Sequence, residues 1–158
     1  MSVQKVTYSR ALEIYASNSC NIPNPAAFIV SGANDTIVAD ALRDSTTNFV
    51  QKGVLIGDIV YNTTTGNGAT VVTIIDDYTL ELNDDIFVSS PENYSIYGGY
   101  QNTMSNQGCI LYTPAGANTL AFYTISGDSV SSAFVDSLVP IQVMKLTAAS
   151  TNPIYALW

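Results

Sequence analysis

Gly53–Phe87 reads GVLIGDIVYNTTTGNGATVVTIIDDYTLELNDDIF, and its reading decides the fold. Short apolar runs alternate with turn chemistry, and the stretch carries no positive charge. Ile59-Val60-Tyr61 predicts one strand, and Thr63–Gly68 a hairpin loop with two glycines free to take positive φ. Ala69–Ile75 predicts the return strand, with Val71, Thr73 and Ile75 on one face and Thr70, Val72 and Ile74 on the other. Asp76-Asp77-Tyr78 turns the chain, and Thr79–Leu82 alternates with Leu80 and Leu82 inward. Val54-Leu55-Ile56 and Ile86-Phe87-Val88 read as further strands at either end, with Gly57-Asp58 as a turn or bulge. Tyr94–Tyr97 follows as a last short strand before Gly98-Gly99.

Outward from this stretch the pattern stays β. Leu12 and Ile14 alternate with Glu13 and Tyr15, predicting a strand, with a helix as the alternative over so short a run. Ser17–Asn21 is a loop, and Ile22-Pro23-Asn24-Pro25 an extended edge or connection, because proline cannot donate to a ladder. Ala26–Val30 reads as a buried strand. Asp35–Asp44 fits a helix capped by Asp35, or one or two short strands, and the β context favours strand. Phe49 and Val50 form an apolar plug. Residues 101–108 form a polar linker or loop. Cys109–Tyr112, Thr119–Ile125, Val130–Val135, Pro140–Leu146 and Ile154–Trp158 then read as strands, with a turn at Asn152-Pro153. A chain ending in Ile, Tyr, Leu and Trp exposes a large apolar patch unless that end is paired or covered.

The expectation is therefore an all-β fold in two parts. Residues 34–99 form an inserted small β-barrel or meander, and residues 1–33 and 100–158 a β-sandwich-like block. One compact domain is the alternative, and 158 residues suffice to build a core without metal or disulfide.

Composition bounds the chemistry. Charged residues are 11%, about half the usual share, so Ser, Thr, Asn, Gln and Tyr must supply the polar surface. The net charge of −8 disfavours nucleic-acid backbones and anionic membranes. It serves solubility first, and complementarity to a basic protein partner second. The chain has no histidine, which excludes Ser-His-Asp and Cys-His catalysis. Cys20 and Cys109 read as buried thiols, with a disulfide as the alternative. The opening MSVQKVTYSR lacks the apolar run of a signal peptide, and no apolar run approaches the ~20 residues of a membrane span. The expectation is a protein made and kept soluble in a cytoplasm.

No motif carries a reaction. Asp76, Asp77, Glu81, Asp84 and Asp85 suggest a calcium site by composition, but their spacing does not match a twelve-residue calcium loop, and solvated turns are the simpler reading. No pair of carboxylates stands out as a sugar-hydrolysing couple. Neither Gly57-Asp58 nor Gly66-Asn67-Gly68 belongs to a phosphate-cradling loop. The ten tyrosines read as cross-strand packers, with a carbohydrate-binding surface as the alternative. Asn62-Thr63-Thr64 and Asn93-Tyr94-Ser95 match the glycosylation triplet, which is idle without secretion. The expectation is no enzyme and no cofactor.

A resemblance adds to this. Phe49-x-x-x-Gly53-Val54-x-x-Gly57-Asp58-Ile59-Val60-Tyr61-Asn62-Thr63-Thr64, then Ala69-Thr70-Val71, Thr79-Leu80-Glu81-Leu82 and Asp85-Ile86-Phe87, resembles a module of virion structural proteins of tailed bacteriophages. Gly108–Tyr112, Leu138–Val143 and Ile154–Trp158 are similar to the close of small phage head proteins. The resemblance implies a capsid decoration (cement) protein on the virion surface, made in the bacterial cytoplasm, binding the major capsid protein as a homo-oligomeric dimer or trimer. A neck, tail or fibre protein and a carbohydrate-binding receptor module are the rival readings. Assembly contacts are expected in the segments flanking the central module, at Ile22, Pro23, Pro25, Tyr155, Leu157 and Trp158.

Overall fold

A computed structural model describes residues 8–99, 108–114, 117–135, 138–150 and 153–158. Residues 101–107 of the expected linker 101–108, the N-terminal residues 1–7 and the turn residue Asn152 lie outside the described residues. The fold is all-β: among the described residues there are two antiparallel sheets of seven and six strands and a single one-turn α-helix.

The central sheet is built from β2 (Phe28–Ala33), β3 (Thr36–Val38), β4 (Ala41–Arg43), β5 (Ile59–Asn62), β6 (Asn67–Asp76), β7 (Thr79–Leu82) and β8 (Asn93–Tyr97). Its order is β2-β8-β5-β6-β7-β4-β3, so β2 and β3 are its two edges. Only Asn34 and Asp35 separate those edges in the chain, a reach of roughly 10 Å. Seven strands laid flat would hold them about 29 Å apart. The sheet must therefore curl, and it does so around one core. Leu42, Val60, Val71, Leu80, Leu82 and Ile96 fill that core with Phe49, Phe87 and Tyr94. The barrel expected here is not closed, because the two edges share no ladder.

Asp35–Asp44 forms the β3–β4 hairpin, turning through Ala39-Asp40 with Asp40 at φ 52°. The helical alternative fails because a three-residue strand on either side of a tight turn buries Ala41 and Leu42 against β7. The apolar plug is instead the helix α1 (Phe49–Lys52). Asn48 caps it by accepting the Gln51 N–H, and Gly53 ends it at φ 81°. Val54-Leu55-Ile56 and Ile86-Phe87-Val88 are not strands. Val54, Ile86 and Phe87 nevertheless enter the core, while Leu55, Ile56 and Val88 are exposed.

Strand β6 departs from its expected alternation. Register shifts between Val71 and Thr73 and between Ile74 and Asp76 place Val71 and Ile74, three residues apart, on the core side. Val72 and Ile75 face solvent.

The terminal sheet contains β1 (Ala11–Ile14), β9 (Cys109–Tyr112), β10 (Ala117–Thr124), β11 (Ser129–Val135), β12 (Leu138–Ala149) and β13 (Ile154–Leu157), in the order β1-β13-β9-β12-β10-β11. Strand β12 pairs with β9 through its first half and with β10 through its second, with register shifts along both ladders. It thus joins two halves of one sheet around a second core made by Ile14, Leu111, Leu120, Phe122, Val143, Leu146 and Ile154. Leu120, Phe122 and Thr124 are buried, as their alternation predicts. The expected boundary after residue 33 is displaced. Phe28–Ala33 pairs with β8, so β2 belongs to the central sheet, and β1 is the strand that the N-terminal segment gives to the terminal one.

Residues 17–22 strap the two sheets together. Ser17 and Ile22 donate backbone N–H bonds to Leu146 and Met144 of β12. On the other side, the Ser17 hydroxyl donates to Gly68 O at 2.7 Å, and the Thr70 hydroxyl and Asn83 amide both donate to Ser19 O. Cys20 packs into the central sheet beside Ile59, Tyr61 and Tyr97, and Ile22 into the terminal core.

Two outcomes follow. Deleting Ala156–Trp158 removes half of β13, the strand that lies between β1 and β9, with its pairings to Ala11, Leu12, Ile110 and Leu111. Differential scanning calorimetry should then show loss of the cooperative transition of the terminal sheet. A Cβ at Gly68 would sit 2.7 Å from both Cys20 Sγ and the Tyr61 ring. Gly68→Ala should therefore cost about 1–3 kcal/mol, read from urea unfolding.

Candidate interaction surfaces

The residues expected to make assembly contacts are spread over the molecule. Ile22 and Pro23 are buried, Ile22 inside the terminal core, so their side chains are engaged within the chain. Pro25 is half-buried and opens a 3-10 turn, Pro25–Ala27, capped by the Asn24 side chain. Tyr155 and Leu157 are half-buried on β13, and Trp158 is half-buried against the terminal core. The C-terminal end is paired: Trp158 accepts N–H bonds from Ser9 and Arg10 and donates to Arg10 O.

The acidic pairs do not converge. Asp76-Asp77 turns one end of β7 and Asp84-Asp85 follows the other, with four strand residues, about 13 Å, between them. Each pair has a local task. Asp76 accepts the Tyr78 N–H, Asp77 the Asn48 amide and Asp84 the Ser19 hydroxyl. Among the described residues no group of three or more Asp, Glu or Cys side chains is placed to hold a metal ion.

The tyrosines that stack are interior except for Tyr15, which is half-buried. Tyr61 packs against Tyr15 and Tyr97, and Tyr94 lies between Phe49 and Phe87. Tyr61, Tyr94 and Tyr97 are buried, so those rings pack strands and present no face to a sugar. Cys20 and Cys109 are free, buried thiols, pushed up to about 11 and about 12 by burial. As thiols of that kind they are poor nucleophiles at neutral pH.

Two features are absent from the sequence reading. The first is a set of buried carboxylates. Asp58 is buried and accepts the Leu55 N–H at 2.8 Å and the Gly99 N–H at 2.9 Å, fixing the turn after α1 against the end of β8. Burial pushes its carboxyl up against the pull of those two bonds. A Cβ at Gly99 would overlap the Gly57 carbonyl, so glycine is required there. Asp44 accepts from the Tyr94 hydroxyl at 2.7 Å and from the Thr46 hydroxyl at 2.6 Å. Burial acts to raise it, but those hydrogen bonds outweigh burial and hold it below the ordinary carboxylate value. Asn62 donates to Ile86 O and to Glu92, while Asn34 donates to Ser89 O and accepts the Glu92 N–H. Asn62 is fully buried, so the acceptor amide of its glycosylation triplet is internal.

The second is a hollow of mixed lining, with Asp58 and Gly53 in its wall beside exposed apolar side chains. Phe28 and Leu55 are 51% and 47% exposed and line a cavity of about 360 Å³ with Ala26, Ile29 and Gly98. Ile56, beside Leu55, is 61% exposed. A second cavity of about 380 Å³ lies along the strap, between Cys20, Asn21, Gly57, Ile59 and Lys145. The polarity pattern marks Leu55 and Ile56 as core. They are exposed because the turn held by Asp58 carries them outward, which a strand would not.

No protein-family model, curated protein or solved structure matches the chain. No helix among the described residues is long and apolar enough to cross a membrane.

The Asp44–Tyr94 bond sets a pH dependence. A carboxyl held below its unfolded value stabilises the fold above the ordinary carboxylate range, and that stabilisation is lost as pH falls through the folded value. Tyr94→Phe should cost about 1–3 kcal/mol at neutral pH. The gap from the parent should narrow on acidification, which denaturant unfolding at a series of pH values will read.

Proposed function

We propose that this protein is a structural component of a phage particle, a capsid decoration protein that binds and stabilises the major capsid lattice as a small homo-oligomer. It acts without cofactor, nucleic acid or membrane, at the capsid surface. The observation that carries the reading is the hollow walled by Phe28 and Leu55, with Ile56 beside it. Large apolar side chains about half exposed at one place favour a protein partner, since a free surface gains by covering them. The partner is then chosen by the resemblance of residues 49–87 and of the chain's end to phage virion proteins. The acidic balance supports a complementary, more basic lattice surface.

Shape supports the role as well. Both sheets are cored, and the strap between them is hydrogen-bonded on either side. A decoration protein works by bridging neighbours rigidly, so a body with its own cores suits it. A chain placed in the neck, tail or fibre would use the same surface at lower copy number.

The test is quantitative mass spectrometry of purified virions together with a capsid-binding assay. The expected result is hundreds of copies per particle, and Leu55→Asp should lower capsid occupancy at least tenfold with an unchanged melting temperature. Tens of copies or fewer would assign the chain to the neck, tail or fibre, and none would remove it from the particle.

A further inference from the structure

The four sheet edges differ in how they are protected. β1 is four residues long and carries Glu13. β2 contains a register shift between Phe28 and Val30, and β3 is three residues long. Shortness, charge and irregularity are the devices that stop edge strands from recruiting further strands. β11 has none of them. It runs seven residues as SVSSAFV, without charge, proline or glycine, and pairs with β10 in unbroken register from Ala117↔Val135 to Tyr123↔Ser129. Among the described residues no strand pairs with its outer side.

The hairpin turn shows which backbone groups point outward. Gly127, at φ 87°, donates to Thr124 O, and Thr124 donates to Asp128 O. Alternate residues of an antiparallel strand exchange their bonds with the same neighbour. Counting from Thr124 and Asp128 in register, Val130, Ser132 and Phe134 turn their N–H and C=O groups to β10. Ser129, Ser131, Ala133 and Val135 turn theirs away from the sheet. On the side-chain side, Ser129, Ser131 and Ala133 are exposed and small, while Val130 and Phe134 pack on the terminal core.

We propose that β11 is a self-association edge, pairing antiparallel about a two-fold axis with β11 of a second copy of this chain and so joining two terminal sheets into one. A second copy is the occupant that the strand's chemistry fits. The chain carries a net charge of −8, which opposes self-association over most of its surface, but the run 129–135 brings no like charges together. A two-fold contact is also self-complementary, so one strand supplies both halves. Asp128 and Asp136 bound the run in sequence. By residue number alone, a pair centred on Ser132 matches Asp128 with Asp136, an opposition of like charges. Centring it on Ser131 keeps the outward-facing residues opposite one another, Ser131 on Ser131 and Ser129 on Ala133, and removes that opposition. About six new backbone hydrogen bonds form in this register.

This rests on the self-association part of the proposed function and not on the particle, so the test uses the free chain. Sedimentation velocity should give a species of twice 16.9 kDa. Ser131→Pro removes an outward N–H and is tolerated on an edge strand, and Ala133→Lys adds the charge that natural edges use. Both should sediment as monomers, with unchanged circular dichroism, and the Ser129 amide (and Ala133 amide in S131P) should exchange at least tenfold faster than in the parent. A parent that stays an oligomer in both folded variants overturns the edge proposal and leaves self-association standing. A monomeric parent overturns both. A monomer whose β11 amides become protected only on adding another protein assigns the edge to that protein and overturns the second copy as occupant.

Discussion

Two residues, Asn34 and Asp35, connect the opposite edges of a seven-stranded sheet, and the central body depends on that short link. The link forces the sheet to curl, and the curl makes an interior. The edges do not meet in a ladder. Two buried asparagines instead tie segment 83–92, whose backbone groups need partners away from water, to the body. Asn34 and Asn62 reach the carbonyls of Ser89 and Ile86 and meet at Glu92, one through its N–H and the other through its carboxylate. Segment 83–92 can therefore carry Ile86 and Phe87 into the core without being a strand. Each buried polar group left without such a partner would cost about 1–3 kcal/mol, so the network holds as a unit.

The same economy joins the two sheets. Among the described residues no strand runs between them, and the strap at residues 17–22 takes that place. It lies on β12 through backbone bonds and on β6 through side-chain bonds, with Cys20 and Ile22 sent into different cores. Gly68 is open enough for Cys20 because it has no side chain. One loop, polar in composition, thus fixes the relation of two bodies whose apolar surfaces are already satisfied separately. Among the described residues, the Phe28–Leu55 hollow and the outer side of β11 are left facing outward.

Much of this was legible in the residues. The strands at Thr79–Leu82 and Ala117–Thr124 lie where period-two alternation puts them, because a half-buried strand leaves its pattern in polarity, and those at Ile59–Asn62 and Asn93–Tyr97 lie where short apolar runs between turn residues put them. The misses have a common origin. Leu55 and Ile56 look like core but ride outward on a turn pinned by a buried Asp58. Val71 and Ile74 share a side because a bulge shifts the register. Phe49 belongs to a four-residue helix whose signal is its caps, Asn48 and Gly53, and its periodicity is too short to read. Asp44 and Asp58, polar by type, are buried because backbone and tyrosine donors happen to converge on them.

The amino-acid sequence by itself determined the β class, the turns, the acidic and histidine-free chemistry, and the need to pair the apolar C-terminal strand. Each of these is local, set by side-chain polarity, by the freedom of glycine or by the bulk of neighbouring residues. Only the tertiary structure decided which strands share a sheet, that β2 joins the central one, and that the central sheet curls without closing. It alone decided which apolar residues remain outside and which edge is left bare. Those outcomes are sums over contacts between residues far apart in the chain, and no short window of sequence contains them.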